Sequence, residues 1–173
     1  MARPRTFDEG TAVEAAMRAF WRAGYEATST ADLCEATGLG RSSIYNTFAG
    51  KHDLFERALT RYMEVKDGEL EEVLEGDLPP LEKVRVLLWQ AVDEPLGCLV
   101  VNSMVELAPH DEVVAGLLRR NEGRRFSALL SVLGDEAKVR FVMSTITGLR
   151  VVARGGAGRD ELEQIAGVAL RAL

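Results

Sequence analysis

Residues 27–59 read ATSTADLCEATGLGRSSIYNTFAGKHDLFERAL, and their punctuation decides the architecture. Ser29 followed three residues later by Asp32 is a box-like N-cap pattern, in which a hydroxyl and a carboxylate satisfy each other's first-turn N–H groups. A short helix then runs to Thr37, with Leu33 and Cys34 facing inward. Gly38 stands where a tight turn between helices needs φ > 0. A second short helix follows over residues 41–48, burying Ile44 and Phe48, and Ala49-Gly50 breaks it. Lys51 or His52 opens a longer helix with Leu54, Phe55, Ala58, Leu59 and Tyr62 on one face.

Upstream, Val13, Ala16, Met17 and Phe20 recur at helical spacing, predicting a helix from Phe7 or Asp8 to Ala23 that Gly24 stops. Downstream the punctuation stays helical. The charged run Glu69–Asp77 finishes a solvated helix, and Asp77-Leu78-Pro79-Pro80 is the clearest break. Helices are expected over Leu81–Val92, Cys98–Ala108, Asp111–Leu133, Ala137–Arg154 and Asp160–Leu173. Arg119, Arg120, Arg124 and Arg125 fall on the exposed side of the third of these. Only Cys98–Val101 resembles a strand, and its neighbours are helical. The expectation is an all-α chain. A three-helix helix-turn-helix domain occupies residues 1–52, and a larger helical domain occupies 53–173.

The 173 residues are 47% hydrophobic and 28% charged, a globular balance with enough apolar surface to bury a core. No apolar run approaches the roughly 20 residues of a membrane span. The opening MARPRTFDEG has basic residues without a following apolar stretch, unlike a secretory signal. Cys34 and Cys98 are the only cysteines and lack metal-ligand spacing. A cytoplasmic protein with free thiols, no metal and no cofactor is therefore expected. The net charge of −6 argues at first against nucleic acid, but it is unevenly spread. Residues 1–51 hold six basic and six acidic residues, while 52–173 hold 15 and 21. From Thr37 to Lys51 the only charges are Arg41 and Lys51, a stretch suited to a phosphate backbone.

The second short helix carries the chemistry. Arg41, Ser42 and Asn46, with the hydroxyls of Ser43, Tyr45 and Thr47, point away from Ile44 and Phe48. An inert surface helix more often carries Glu/Lys pairs, whereas a groove-reading helix needs compact donors and acceptors. Packing alone would also produce two short helices around a glycine. The whole segment, however, resembles the DNA-binding signature of TetR/AcrR transcriptional regulators. Leu33, Gly38, Leu39, Ile44, Tyr45, Phe48, Lys51, Asp53 and Leu54 agree with it in type and spacing. The resemblance implies that Ser29 and Thr30 hold a phosphate at a helix N-terminus. It implies that Tyr45 and Lys51 contact further phosphates. Arg41 and Ser42 would face base edges, Asn46 and Thr47 would stand at the groove rim, and Ser43 would serve either role. Many members have His or Tyr where Thr47 stands, so that contact is shorter here. Arg3 and Arg5 read as a basic tail, with a minor-groove arm as the lesser alternative.

The second domain is less specific. GCLVVNSMVELAP (97–109) resembles the sixth helix of one TetR subgroup, and TGLRVVARGGAGRDELEQIAGVAL (147–170) its last two helices. The resemblance implies a homodimer through the Val139–Arg154 and Asp160–Leu173 helices, a double-stranded DNA operator and a small-molecule effector. Val139, Val142, Met143, Ile146 and Leu149 form one stripe; Ile165, Ala166, Ala169 and Leu170 form another. Each stripe is either dimer interface or intramolecular core. Connections around Asp93–Gly97 and Gly134–Lys138 are short for the family. Either the ligand cavity is smaller or partly open, or segments are absent from this sequence. Trp89, Met104, Phe126 and Met143 are candidate pocket residues, though a core needs them anyway. Asn102 either orients a ligand or hydrogen-bonds a neighbouring helix. Cys98 and Cys34 read as packing rather than sensing, and His52 and His110 are too far apart for a metal.

An effector-released repressor is the leading reading. An enzyme is disfavoured, because no phosphate loop, metal cluster or Ser/Cys–His spacing is present. A third reading keeps the helix-turn-helix and makes the second domain a protein-binding platform.

Overall fold

The computed structural model describes residues 8–173. Arg3, Arg5 and the alternative helix start at Phe7 lie outside the described residues. Among the described residues the regular structure is helix alone, in the order α1 Glu9–Ala23, α2 Thr30–Thr37, α3 Arg41–Thr47, α4 Lys51–Glu75, α5 Pro80–Val92, α6 Leu99–Glu106, α7 Glu112–Leu133, α8 Glu136–Arg154 and α9 Arg159–Arg171. The strand-like Leu99–Val101 lies inside α6, as its helical neighbours required.

Aspartates start three of these helices. Asp8, Asp111 and Asp135 each accept a hydrogen bond from first-turn backbone N–H groups of the helix that follows. This satisfies donors that have no partner inside the helix and places negative charge at the positive end of its dipole.

The chain divides into two compact units, the first ending at Met63 and the second running from Glu64 to Leu173. The division falls within α4, later than the expected 52/53 boundary. The reason is packing: Leu54, Phe55, Ala58, Leu59 and Tyr62 are buried in the first unit. Phe55 meets Phe20 edge-on at 5.0 Å between ring centroids, and Tyr62 meets Trp21 at the same distance. Phe20, Leu33, Ile44 and Phe48 complete that core. Truncating any one of these large side chains to Ala costs about 2–5 kcal/mol.

In the second unit, α5, α8 and α9 close around Leu88, Val139, Leu149 and Ala166. The stripe Val139, Val142, Ile146 and Leu149 is buried here, as are Ala166 and Ala169. These side chains are therefore intramolecular core within the unit. What α8 and α9 leave exposed is a different face. Phe141 (41% exposed), Val151 (52%) and Val168 (60%) lie there among Ser144, Gly148 and Gln164. Arg125 also departs from expectation: it is half-buried, whereas Arg119, Arg120 and Arg124 are exposed. Arg125 bonds the Asp67 carboxylate at 3.1 Å, and the same carboxylate receives both the buried Asn121 amide (2.9 Å) and Arg124 (3.1 Å).

Candidate nucleic-acid interface

The helix pair is built by its termini. Ser29 caps α2: its Oγ accepts from the Asp32 N–H at 3.1 Å, and the Asp32 carboxylate accepts from the Ser29 N–H at 2.7 Å. The Ser29 hydroxyl also donates to the Asp32 carboxylate, and that bond first, then the one from the Ser29 N–H, lowers the Asp32 pKa. At the other end Thr37 donates to the Leu33 carbonyl and accepts from the Leu39 N–H, and Gly38 adopts φ 69°. A side chain at Gly38 has space, but its backbone lies in the left-handed region, so the turn depends on glycine.

On α3 the side chains sort by angle. Arg41, Ser42, Tyr45 and Asn46 are exposed, Ser43 and Thr47 are half-buried, and Ile44 is buried. Phe48, the C-cap, is buried beside it. Burying Ile44 and Phe48 turns the adjacent positions outward, since residues four apart share a helical face.

Tyr45 is 48% exposed and is held by neighbours on two helices. Hydrogen bonds from Thr30, the larger influence, and from Arg41 lower its phenolic pKa. The Arg41 guanidinium stands 5.9 Å from the ring centroid, and the Gly50 backbone lies beside the ring, where an added Cβ would stand 3.7 Å from the ring edge. Lys51, half-buried, donates to the Glu26 carbonyl at 3.4 Å with its ammonium 4.3 Å from the Tyr25 ring centroid. Ser29 is exposed, but its hydroxyl already donates to Asp32 at 2.6 Å. The Thr30–Tyr45 and Ser29–Asp32 bonds mean that these hydroxyls must share or exchange partners to hold a phosphate. The Thr30 link to Tyr45 joins two helices, and nothing in either helix's own pattern signals it.

Two helices around a left-handed glycine turn, the second displaying compact polar groups, define a helix-turn-helix, a class of DNA-binding module. Residues 12–58 match the family model described as bacterial regulatory proteins, tetR family. The HTH-type transcriptional repressor ComR of Escherichia coli K12 is 31% identical over 98% of this chain and 90% of its own length. An uncharacterised HTH-type transcriptional regulator of Bacillus subtilis 168, YezE, is 28% identical over the whole of both chains. A cysteine-substituted variant of the TetR family regulator CifR, solved with 26-bp double-strand operator DNA, superposes with a TM-score of 0.86. That chain is 32% identical and 99% of each chain is covered. This chain belongs to the TetR family of bacterial transcriptional regulators.

In the second unit, the five candidate ligand residues have different surroundings. Trp89, Phe126 and Met143 are partly buried against the core. Arg85 stands over the Trp89 ring and Arg140 over the Phe126 ring. Met104 is half-buried on α6, and the Asn102 amide nitrogen is buried without a partner. A narrow cleft of about 20 Å³, room for about one water, lies among α4, α5, α7 and α8, where Lys66, Arg125 and Arg150 stand with Leu70, Leu87 and Ile146. Cys98 is buried, and its sulfur receives the Arg150 guanidinium at 3.3 Å. The cysteine thus has a cation beside it, from a residue far along the chain that spacing could not reveal. Among the described residues no cluster of His, Cys, Asp and Glu could hold a metal ion, and no helix is long and apolar enough to cross a membrane.

Proposed function

We propose that this protein is a cytoplasmic repressor that binds a palindromic double-stranded operator as a homodimer and is released by a small-molecule effector. The observation that carries the reading is the outward set Arg41, Ser42, Tyr45 and Asn46 on a helix without an acidic residue. Arg41 and Ser42 read base edges in the major groove, with Asn46, Thr47 and Ser43 at its rim. Tyr45, Lys51, Ser29 and Thr30 fix the protein on the phosphates. The backbone N–H groups of the first α2 turn add the positive end of the helix dipole.

Homodimerisation gives two such helices per assembly. The exposed apolar face of α8 and α9 supports this, because Phe141, Val151 and Val168 are large hydrophobic side chains left in water. The acidic excess of residues 52–173 discourages indiscriminate binding to nucleic acid. An effector acts by preferring the non-binding state by a few kcal/mol; equal affinity for both states shifts nothing.

Selection of bound duplexes from a random pool tests the reading. The expected outcome is an inverted repeat whose half-sites are centred about 34 Å apart, or a multiple of that. A pool that never enriches, or enriches single asymmetric sites, overturns it.

A further inference from the structure

The single oxygen of Tyr45 is met from two helices. Its hydroxyl receives Thr30, the first residue of α2, and Arg41, four residues earlier on α3. Cys34 is also near enough to act on the phenol. Thr30 and Cys34 are four apart and share one face of α2, so Tyr45 lies along that face. On its other side the ring rests beside the Gly50 backbone.

A phenolic oxygen has one proton to give and two lone pairs with which to accept. A guanidinium only donates, and the Thr30 hydroxyl donates beside it, so both lone pairs are filled from within the protein. The O–H is then the one uncommitted group on a side chain that is 48% exposed. Its proton points away from both donors, toward solvent. Donation into the oxygen also polarises the O–H and makes it the stronger donor. A phosphate oxygen, which only accepts, is the partner such a group suits. Arg41 commits one of its five donors to Tyr45 and keeps the others for a base edge.

Resting on the reading of α3 as a DNA-reading helix, we infer that Thr30 is a positioning residue whose hydroxyl acts on the operator through Tyr45 rather than on a phosphate itself. Its Oγ1 stays on the phenol when DNA binds, fixing where the phenolic proton points. The backbone N–H groups of α2, not the Thr30 side chain, complete the phosphate contact on this side.

The test is a double-mutant cycle on the full chain, with Thr30→Val, Tyr45→Phe and the pair, read by anisotropy on the selected duplex. Thr30→Val keeps the side chain's shape without its hydroxyl and is expected to weaken binding about five- to thirtyfold over two protomers. In the Tyr45→Phe background the same change is expected to cost less than about twofold, because the oxygen it serves is gone. Thr30→Ser, which keeps the hydroxyl, stays within about threefold of the unsubstituted protein. An equal loss in both backgrounds assigns the Thr30 hydroxyl directly to a phosphate and overturns the inference, as does no loss in either. A second readout needs no DNA: carbon-13 NMR titration of ring-labelled tyrosines, with Tyr45→Phe identifying the Tyr45 signal. The Tyr45 midpoint is expected below the ordinary phenol value of about 10 and moves up in Thr30→Val; an unmoved midpoint overturns the inference. Thr30→Ala replaces Thr30→Val if the latter does not fold. Should neither fold, the unsubstituted protein decides alone, a midpoint below the ordinary value supporting the inference and one at or above it overturning it. A protein that binds its inverted repeat with additive losses overturns only this inference; one that binds no duplex overturns the repressor reading and this inference with it.

Discussion

Replacing Tyr45 with Phe removes one oxygen from the most exposed aromatic ring of the proposed interface. The ring itself stays, with the Gly50 backbone and Arg41 beside it. The lost hydroxyl bonds Thr30 at a site 48% exposed, so water replaces it and unfolding free energy changes by less than about 0.5 kcal/mol. DNA binding is another matter. A hydrogen bond from the phenol to a charged phosphate is worth about 1–2 kcal/mol, and a homodimer makes it twice, giving about 2–4 kcal/mol or a 30- to 1,000-fold weaker complex. Fluorescence anisotropy on the selected duplex measures this, with denaturant unfolding as the control. Because the phenol is uncharged, the slope of log affinity against log salt stays as it was. A loss under threefold with unchanged stability refutes the phosphate role. A large loss accompanied by a matching loss of stability would assign Tyr45 to packing instead.

Three further outcomes are expected. Lys51→Ala lowers the same salt slope by about two for a dimer, one released counterion per protomer; an unchanged slope in anisotropy titrations removes Lys51 from the interface. Asp67→Ala strands the buried Asn121 amide and the half-buried Arg125, costing about 2–4 kcal/mol after discounting for solvent at the partly exposed pair. Urea unfolding checks this, and Asp67→Asn, which keeps an acceptor for Asn121, costs less. Val168→Glu places a charge on the exposed face of α9 and yields a monomer in sedimentation without altering the circular dichroism melt; a retained dimer moves the interface elsewhere.

Local punctuation carried most of the fold. The Ser29–Asp32 box, the glycine stops at 24 and 38, and the break at Pro79-Pro80 are decided within a few residues, so they were legible in order along the chain. The outward set on α3 was legible for a related reason: burying Ile44 and Phe48 leaves one orientation for the rest. Ambiguity began where a pattern has two physical solutions. The α8 stripe from Val139 to Leu149 has helical period whether it packs on its own core or on a second copy, and period cannot choose between them. The apolar face of α4 is continuous in sequence and gives no sign that its first turns belong to the amino-terminal core. Contacts between distant residues were invisible. Arg150 beside Cys98, and Arg124, Arg125 and Asn121 on Asp67, link positions more than fifty residues apart. The cleft's charged lining, Lys66, Glu69, Arg125 and Arg150, lay outside a search for large apolar side chains.

Base preference at each position of the selected duplex, determined in parallel for the unsubstituted protein and for Arg41→Ala, bears most directly on whether α3 reads DNA sequence. Relaxed preference at one base pair in each half-site, placed symmetrically and with the remaining positions retained, is the predicted result. Preferences that survive the substitution unchanged, or that weaken evenly along the site, would contradict base reading by this helix.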